Sequence, residues 1–287
     1  VKGRTRMGMR DFQRQMQALA DINQVSESNT QKSAVATHGN DYAVLEIALQ
    51  NDVNAVRAFP TRAEKLDYKR NRFLPKWLPF VNEYLDKGAI YQNDYLVYCI
   101  VYLFDIADFD RALSLAEKAI EQNQSMPQGW QTTLPNFVAD QIYNWTDKTA
   151  AAGQSVEPYF SQTFKNVATQ WKLHEIVTAK WLKLAAALLL RSPQGKVQAS
   201  GIDDAETLVL AIQLCNRAFQ LNQKAGVKNM IERCVMRLNA LAKSGDYDQN
   251  SLPQVAGLSL EKQQIDFDLV IEKLTARLLK NNEEGNV

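Results

Sequence analysis

The sequence predicts an all-α protein, and three observations support this fold class. Apolar residues recur every three or four positions over most of the 287 residues, which is the spacing of one face of a helix. No segment shows the strict alternation of apolar and polar residues that a half-buried strand requires. The dipeptides Asn-Gly and Asp-Gly, which mark tight hairpin turns, do not occur. Apolar and charged contents of 46% and 23% are ordinary for a soluble globular chain.

The N-terminal third is predicted to contain helices separated by polar linkers. The first helix covers about residues 7–23, and residues 24–40 form a linker. A second helix begins after Asn40 or Asp41, either of which can act as N-cap, and ends at Pro60. Its apolar face comprises Val44, Leu45, Ala48, Leu49, Val53 and Val56.

A third helix begins after Thr61 and is strongly basic. Three of its cations are spaced by four and three residues and are expected on one face: Lys65, Lys69 and Arg72. Pro75 and Pro79 are expected to break this helix and to redirect the chain.

Residues 93–123 predict a helical hairpin. Apolar residues follow a helical spacing on both sides of a turn at Asp108-Phe-Asp110, and Asp108 or Asp110 is the expected N-cap of the second helix. Alanines on the second helix allow the two backbones to approach closely, as in a tetratricopeptide hairpin. A second unit of this kind is predicted from helices over residues 172–191, 203–221 and 227–243.

The remaining predicted helices lie between and after these units. Residues 132–152 and 157–170 form two of them, and residues 244–258 form a linker. A last amphipathic helix covers about residues 259–280. Its apolar residues are spaced by four, three and four positions, which suits packing against another helix: Phe267, Ile271, Leu274 and Leu278.

Charge is distributed unevenly along the chain. Residues 1–76 carry 13 Lys and Arg against 8 Asp and Glu, a net charge of +5, whereas residues 77–287 carry 20 against 24, a net charge of −4. This segregation suggests an N-terminal region that faces a polyanion, although chance remains an alternative.

The three cysteines are widely spaced within apolar helical patterns, which indicates buried thiols in a reducing compartment. No apolar run is long enough to span a bilayer, and the basic N-terminus lacks a following hydrophobic segment, so we expect neither a membrane span nor a signal peptide.

The sequence contains no strong catalytic pattern. Asp105, Asp108 and Asp110 form the densest acidic cluster, and Asp203, Asp204 and Glu206 a second; both could bind a divalent metal, but capping of a helix start is the favoured interpretation. The segment 194–197 lacks the first glycine and the hydroxyl of a phosphate-binding loop and is expected to be a turn. His38 and His174 have no partner at ligand spacing. We therefore predict no catalytic residue, metal or cofactor.

Nucleic-acid binding is the function that the charge pattern favours. Residues 57–76 hold seven cations against two acidic residues and lead directly into an aromatic, proline-containing segment with Trp77 and Phe80. A solvated helix face is the alternative explanation, but the junction with core-forming aromatics favours DNA contact. The predicted DNA-binding residues comprise an N-terminal group and a group in the basic run: Arg4, Arg6, Arg10, Arg14, Arg62, Lys65, Lys69, Arg70, Arg72 and Lys76.

Several segments resemble the gpM-like small terminase subunits of tailed bacteriophages. Leu74-Pro-Lys-Trp-Leu-Pro-Phe-Val81 resembles their anchor motif, and the similarity continues through the hairpin from Asp94 to Ala119 and through Met126-Pro127. The segments 133–139 and 220–232 are similar to later family segments. Together these stretches lie within about residues 55–240.

The resemblance implies a role in viral genome packaging. Such subunits bind a packaging site in double-stranded viral DNA in the host cell cytoplasm, assemble into ring-like homo-oligomers and recruit a large subunit that carries the ATPase and the nuclease. The family is often labelled an endonuclease subunit, which we interpret as a description of the whole complex. The acidic C-terminus departs from the basic tail of some members, so the last helix is expected to contact a second copy or the large subunit.

The chain is accordingly divided into three predicted regions. Residues 1–76 form a basic DNA-binding region, residues 77–243 a core of helical hairpins, and residues 244–287 a linker and a partner-binding helix. Two other functions stay open: a metal-dependent endonuclease that cuts the packaging site, and a tetratricopeptide-like scaffold that binds proteins. Residues 55–76 do not match a helix-turn-helix, so no element is assigned to base recognition.

Overall fold

The computed structural model describes residues 37–245 and 265–284, with side chains described within 44–245 and 265–276. The predicted helix over residues 7–23 lies outside these ranges. In the described residues the regular elements are helices, apart from one isolated β-bridge between Arg191 and Val197, so the all-α prediction is confirmed. The chain divides into two compact units between Thr61 and Arg62. The predicted boundaries after residues 76 and 243 stay predictions.

The first unit contains, within its described part, the helix α1, Thr37–Ala58. Leu49, Val53 and Val56, three residues of the predicted apolar face, are buried. The helix stops before Pro60, as expected, because a proline disfavours helical backbone in the residue that precedes it.

The second unit begins with a continuous helical segment. It comprises α2 (Arg62–Tyr68), a π-helical turn (Lys69–Phe73) and α3 (Leu74–Lys87). The prediction that Pro75 and Pro79 break the helix is therefore wrong. Both prolines are exposed, so the carbonyls that lose an amide partner can reach water. The opposite face buries Leu74, Trp77, Val81 and Tyr84, and this burial outweighs a cost of about 3 kcal/mol for an interior proline.

Two helices form the predicted hairpin: α4 (Asp94–Asp105) and α5 (Phe109–Glu121). Between them Ala107 adopts a left-handed conformation, with φ of 61°, and the Asp108 amide donates to the Leu103 carbonyl at 2.9 Å. Ala112 and Ala116 are fully buried, which confirms the predicted close approach.

A buried hydrogen-bond network fixes the open end of this hairpin. Asn93 caps α4 by accepting from the Leu96 amide at 2.9 Å, and its own amide donates to the Gln124 side-chain oxygen at 2.7 Å. The Gln124 side-chain nitrogen donates to the Tyr84 hydroxyl at 3.0 Å and to the Tyr91 carbonyl at 2.7 Å. The network thus joins the end of α3, the start of α4 and the end of α5.

The next helices are α6 (Leu134–Ala151), α7 (Tyr159–Thr169), α8 (Glu175–Leu189), α9 (Ala205–Leu221), α10 (Lys228–Ser244) and α11 (Phe267–Glu284). A short 3₁₀ turn, Ala199–Gly201, precedes α9. Helix α9 packs between α8 and α10, and α11 packs against α7 and α8. The predicted helices between residues 132 and 243 are confirmed to within a few residues. The tetratricopeptide likeness stays a prediction.

Candidate nucleic-acid interface

The basic segment, residues 62–76, is anchored to the fold by aromatic residues at its C-terminal side. Phe73 and Trp77 are 1% and 0% exposed. The Phe73 ring contacts Tyr102 with centroids 4.5 Å apart, and the Trp77 ring stacks on Tyr95 at 5.9 Å. Burial of each such side chain contributes about 1.5–3 kcal/mol, so the helical segment from Arg62 onward is part of the folded body.

Three arginines of this segment are exposed: Arg62, Arg70 and Arg72. Lys65 is half-buried on the same segment. We call these four residues the basic surface. Within the residues that the structure describes, no acidic side chain forms an ion pair with any of the four. Asp67, an exposed carboxylate between Lys65 and Arg70 in the sequence, accepts a hydrogen bond from the Asn71 side chain at 2.7 Å.

Lys69 points into the fold. Its side chain is only 12% exposed, and its ammonium lies 2.5 Å from the Asp105 carboxylate and 4.3 Å from the Tyr102 ring centroid. The prediction that Lys65, Lys69 and Arg72 share one face is therefore wrong for Lys69. A π-helical turn begins at Lys69, where the Leu74 amide donates to the Lys69 carbonyl five residues back, and it changes the angular register between Lys69 and Arg72.

Lys76 is half-buried, with its ammonium 5.2 Å from the centroid of the Trp77 ring. This is a cation–π contact between the ammonium and the aromatic ring. The predicted DNA-contact role of Lys69 and Lys76 stays a prediction. Arg4, Arg6, Arg10 and Arg14 lie outside the described residues.

The first acidic cluster has structural partners. Asp108 is the N-cap of α5: its Oδ1 accepts from the Arg111 amide at 3.3 Å, and its Oδ2 accepts from the Arg111 guanidinium. Asp105 accepts from Lys69. The capping interpretation is therefore confirmed for Asp108. The hydrogen bond that the Arg111 guanidinium donates to Asp108 is the largest cause of the raised pKa of Arg111.

The second acidic cluster also caps a helix. Asp204 Oδ1 accepts from the Glu206 amide at 3.1 Å, and Asp204 Oδ2 accepts from the Thr207 hydroxyl at 2.6 Å and from Lys273 at 2.9 Å. Burial raises the pKa of Asp204, but the hydrogen bonds from Thr207 and Lys273 outweigh this and leave the pKa lowered. Asp203 pairs with Arg237. Across residues 37–245 and 265–284, no three His, Cys, Asp or Glu side chains form a group that could hold a metal ion.

The other candidate motifs have local structural roles. His174 caps α8, because its Nδ1 accepts from the Ile176 amide at 3.3 Å. Gly195 lies in a tight turn with φ of 79°, and a Cβ there would come within 2.4 Å of the Ala151 carbonyl oxygen. The predicted turn over residues 194–197 is confirmed. The three cysteines are buried and free, and burial raises the pKa of both Cys215 and Cys234 to about 12.

The apolar face of α11 packs inside the chain. Val270 and Leu274 are 0% exposed, and the Phe267 ring contacts Phe164 edge-to-face with centroids 5.9 Å apart. Ile271 is half-buried, and the side chain of Leu278 lies outside the described residues. This packing gives Phe267 and Leu274 an intramolecular role, and the predicted intermolecular role of the four residues stays a prediction. In the described part of the chain, no helix is both long and apolar enough to cross a bilayer.

Comparison with known proteins identifies similar chains in two phages. The family described as "Phage small terminase subunit" matches residues 46–176. The chain is 96% identical over 281 residues to the "Probable terminase, endonuclease subunit" of Haemophilus phage HP1 (strain HP1c1), which covers 98% of this chain and 100% of that protein. It is 29% identical over 203 residues to the "Terminase, endonuclease subunit" of Escherichia phage P2, covering 70% and 76% of the two chains. No solved structure matches the chain.

Proposed function

The chain belongs to the phage small terminase subunit family, and from this premise we propose that it binds double-stranded viral DNA through the basic surface during genome packaging. In this role it recruits a large subunit that supplies the ATPase and the nuclease. The observation that supports the proposal best is the exposure of Arg62, Arg70 and Arg72 on a helix whose other face is buried through Phe73 and Trp77.

Arginine suits this task chemically. Its planar guanidinium presents several donors in a fixed geometry and can bind two phosphate oxygens at once. An anchored backbone lowers the cost of binding, because only the side chains and not the helix have to be ordered when a phosphate is bound. Arg62, Arg70 and Arg72 therefore provide contacts that position the duplex without reading its sequence.

The partners of the complex follow from the family. We propose a ring-like homo-oligomer that acts in the host cell cytoplasm, with the large terminase subunit as a second protein partner. Among the predicted partner-contact residues whose side chains are described, Phe267 and Ile271 are half-buried and Leu274 is buried. All three lie on α11, which remains the proposed contact element.

Duplex binding by the full chain tests the proposal directly. Fluorescence anisotropy with a labelled duplex that contains the packaging site should show binding that weakens steeply as salt increases. Alanine at Arg62, Arg70 and Arg72 together should reduce both the affinity and its salt dependence. Affinity that is insensitive to salt in the natural chain would exclude a phosphate-binding role.

An endonuclease activity of the chain itself is the second candidate, and the names of both relatives favour it. The experiment is incubation of the full chain, without a large subunit, with supercoiled DNA that contains the packaging site and with Mg²⁺ or Mn²⁺. Nicked or linear product that disappears with a chelator would support this candidate. Intact DNA, under conditions in which the large subunit cleaves, would assign the cleavage to that subunit.

A further inference from the structure

A cleft of about 710 Å³ opens where the end of α5, the start of α6 and the segment after α7 meet. Its walls include Trp130, Trp171 and Lys172. The DNA-binding surface proposed above uses none of these residues. We propose that this cleft binds a nucleotide unit, meaning a planar base with its phosphate, taken from an unpaired DNA strand or from a free nucleotide. The inference rests on the proposed function only in that DNA is the expected partner of the chain.

Two tryptophans supply the aromatic part of the cleft. Trp130 is 39% exposed, and an edge-to-face contact with Phe137, with ring centroids 5.7 Å apart, fixes its ring. Trp171 is half-buried in the short connection between α7 and α8, where its amide donates to the Asn166 carbonyl at 2.7 Å. Bases stack on such rings regardless of their identity, because every base has a π-face.

The charge of the lining suits a phosphate. Lys172 is exposed at the cleft, and the lining contains no Asp or Glu. A cleft of this charge attracts an anion and does not repel it.

Hydrogen-bonding groups complete the match to a base. The Asn123 and Gln170 amides line the cleft. Asn123 uses its amide nitrogen in a long contact of 3.5 Å to the Glu121 carbonyl, and its backbone is left-handed with φ of 56°. Gln124, by contrast, is already committed to the buried network at the hairpin end. The volume lies within the range of about 300–1,000 Å³ typical of small-molecule sites, and the mixed lining fits a polar aromatic ligand better than an apolar peptide.

The test uses the full chain and two probes. Fluorescence anisotropy measures binding of a labelled twelve-residue oligothymidylate, and unlabelled thymidine monophosphate is then added as competitor. Trp171→Leu is expected to weaken oligothymidylate binding at least about fivefold, since each stacked base contributes about that factor or more. Trp171→Phe, which retains an aromatic face, should recover most of the affinity. Displacement by the mononucleotide would assign free nucleotides as the source, and its failure would assign a DNA strand.

Controls separate this inference from the proposed function. Met236→Leu changes an exposed apolar residue on α10, outside the cleft, and should leave oligothymidylate binding unchanged. The triple alanine variant of Arg62, Arg70 and Arg72 reports on duplex binding. If Trp171→Leu and Trp171→Phe bind the oligonucleotide as the natural chain does, or lose affinity equally, stacking is refuted whatever the duplex result. If the triple alanine variant loses duplex binding but still binds oligothymidylate, the proposed role of the cleft is unaffected.

Discussion

Removal of the three exposed arginines should change the salt dependence of duplex binding by a calculable amount. Each phosphate contact adds about 0.9 to the slope of log K against log salt, so loss of Arg62, Arg70 and Arg72 is expected to reduce that slope by up to about 2.7. Between 50 and 200 mM salt this corresponds to roughly fortyfold. The natural chain should therefore lose about forty times more affinity than the variant over this range. Fluorescence anisotropy titrations at four or five salt concentrations measure both slopes.

A matched variant separates local contact from overall charge. Alanine at Lys118, Arg217 and Arg233 also removes three positive charges, but from exposed positions outside the basic surface. Its slope should equal that of the natural chain, because release of condensed ions requires direct phosphate contact. Equal slopes for the natural chain and the Arg62, Arg70 and Arg72 variant would refute the assignment of this surface. Equal losses in both triple variants would indicate a general charge effect.

Other residues test the structural roles that the fold assigns. Lys69→Ala should lower the free energy of unfolding by about 1 kcal/mol in a urea titration, through loss of its ion pair and its cation–π contact, and should change the salt slope less than any exposed arginine does. Asp108→Ala should cost about 1 kcal/mol and Asp108→Ser much less, because serine also caps helices; equal costs would contradict the capping role. Thr207 and Lys273 hold the folded-state pKa of Asp204 below its ordinary value, so this contribution to stability is complete at neutral pH and is lost as the pH falls below about 4. Lys273→Met should therefore reduce the loss of thermal stability between pH 5 and pH 3, and an unchanged loss would refute the link.

The sequence predicted the helices of the described part well, because their signals are local. The hairpin over residues 93–123 has a capping aspartate, a spaced apolar face and alanines where two backbones meet, and each of these signals appears in the structure. The cap at Asp204 and the turn around Gly195 are of the same kind. Helix starts were predicted less well: α1 begins at Thr37 and not after Asn40 or Asp41, and α11 begins at Phe267 and not near residue 259.

The orientation of the basic segment could not be predicted in the same way. A four- and three-residue spacing places Lys65, Lys69 and Arg72 together only if the helix is α-helical throughout, and the π-helical turn at Lys69–Phe73 violates that condition. The turn ends at Phe73, whose ring is buried against Tyr102, a tertiary contact that the local sequence pattern does not show. The prolines were misjudged for a related reason, because their cost was weighed without the burial of the opposite face.

The placement of the carboxylates bears on where cleavage takes place. Both oxygens of Asp108 are occupied by Arg111, and both oxygens of Asp204 accept hydrogen bonds from the start of α9 and from Lys273. A divalent ion at either position would have to uncap a helix, at a cost of about 1 kcal/mol. It would also place two positive charges beside an arginine or lysine that already neutralises the carboxylate. These two sites are therefore unfavourable for the divalent ion that metal-dependent cleavage would require, which agrees with the proposal that the chain binds DNA and that a large subunit cleaves it.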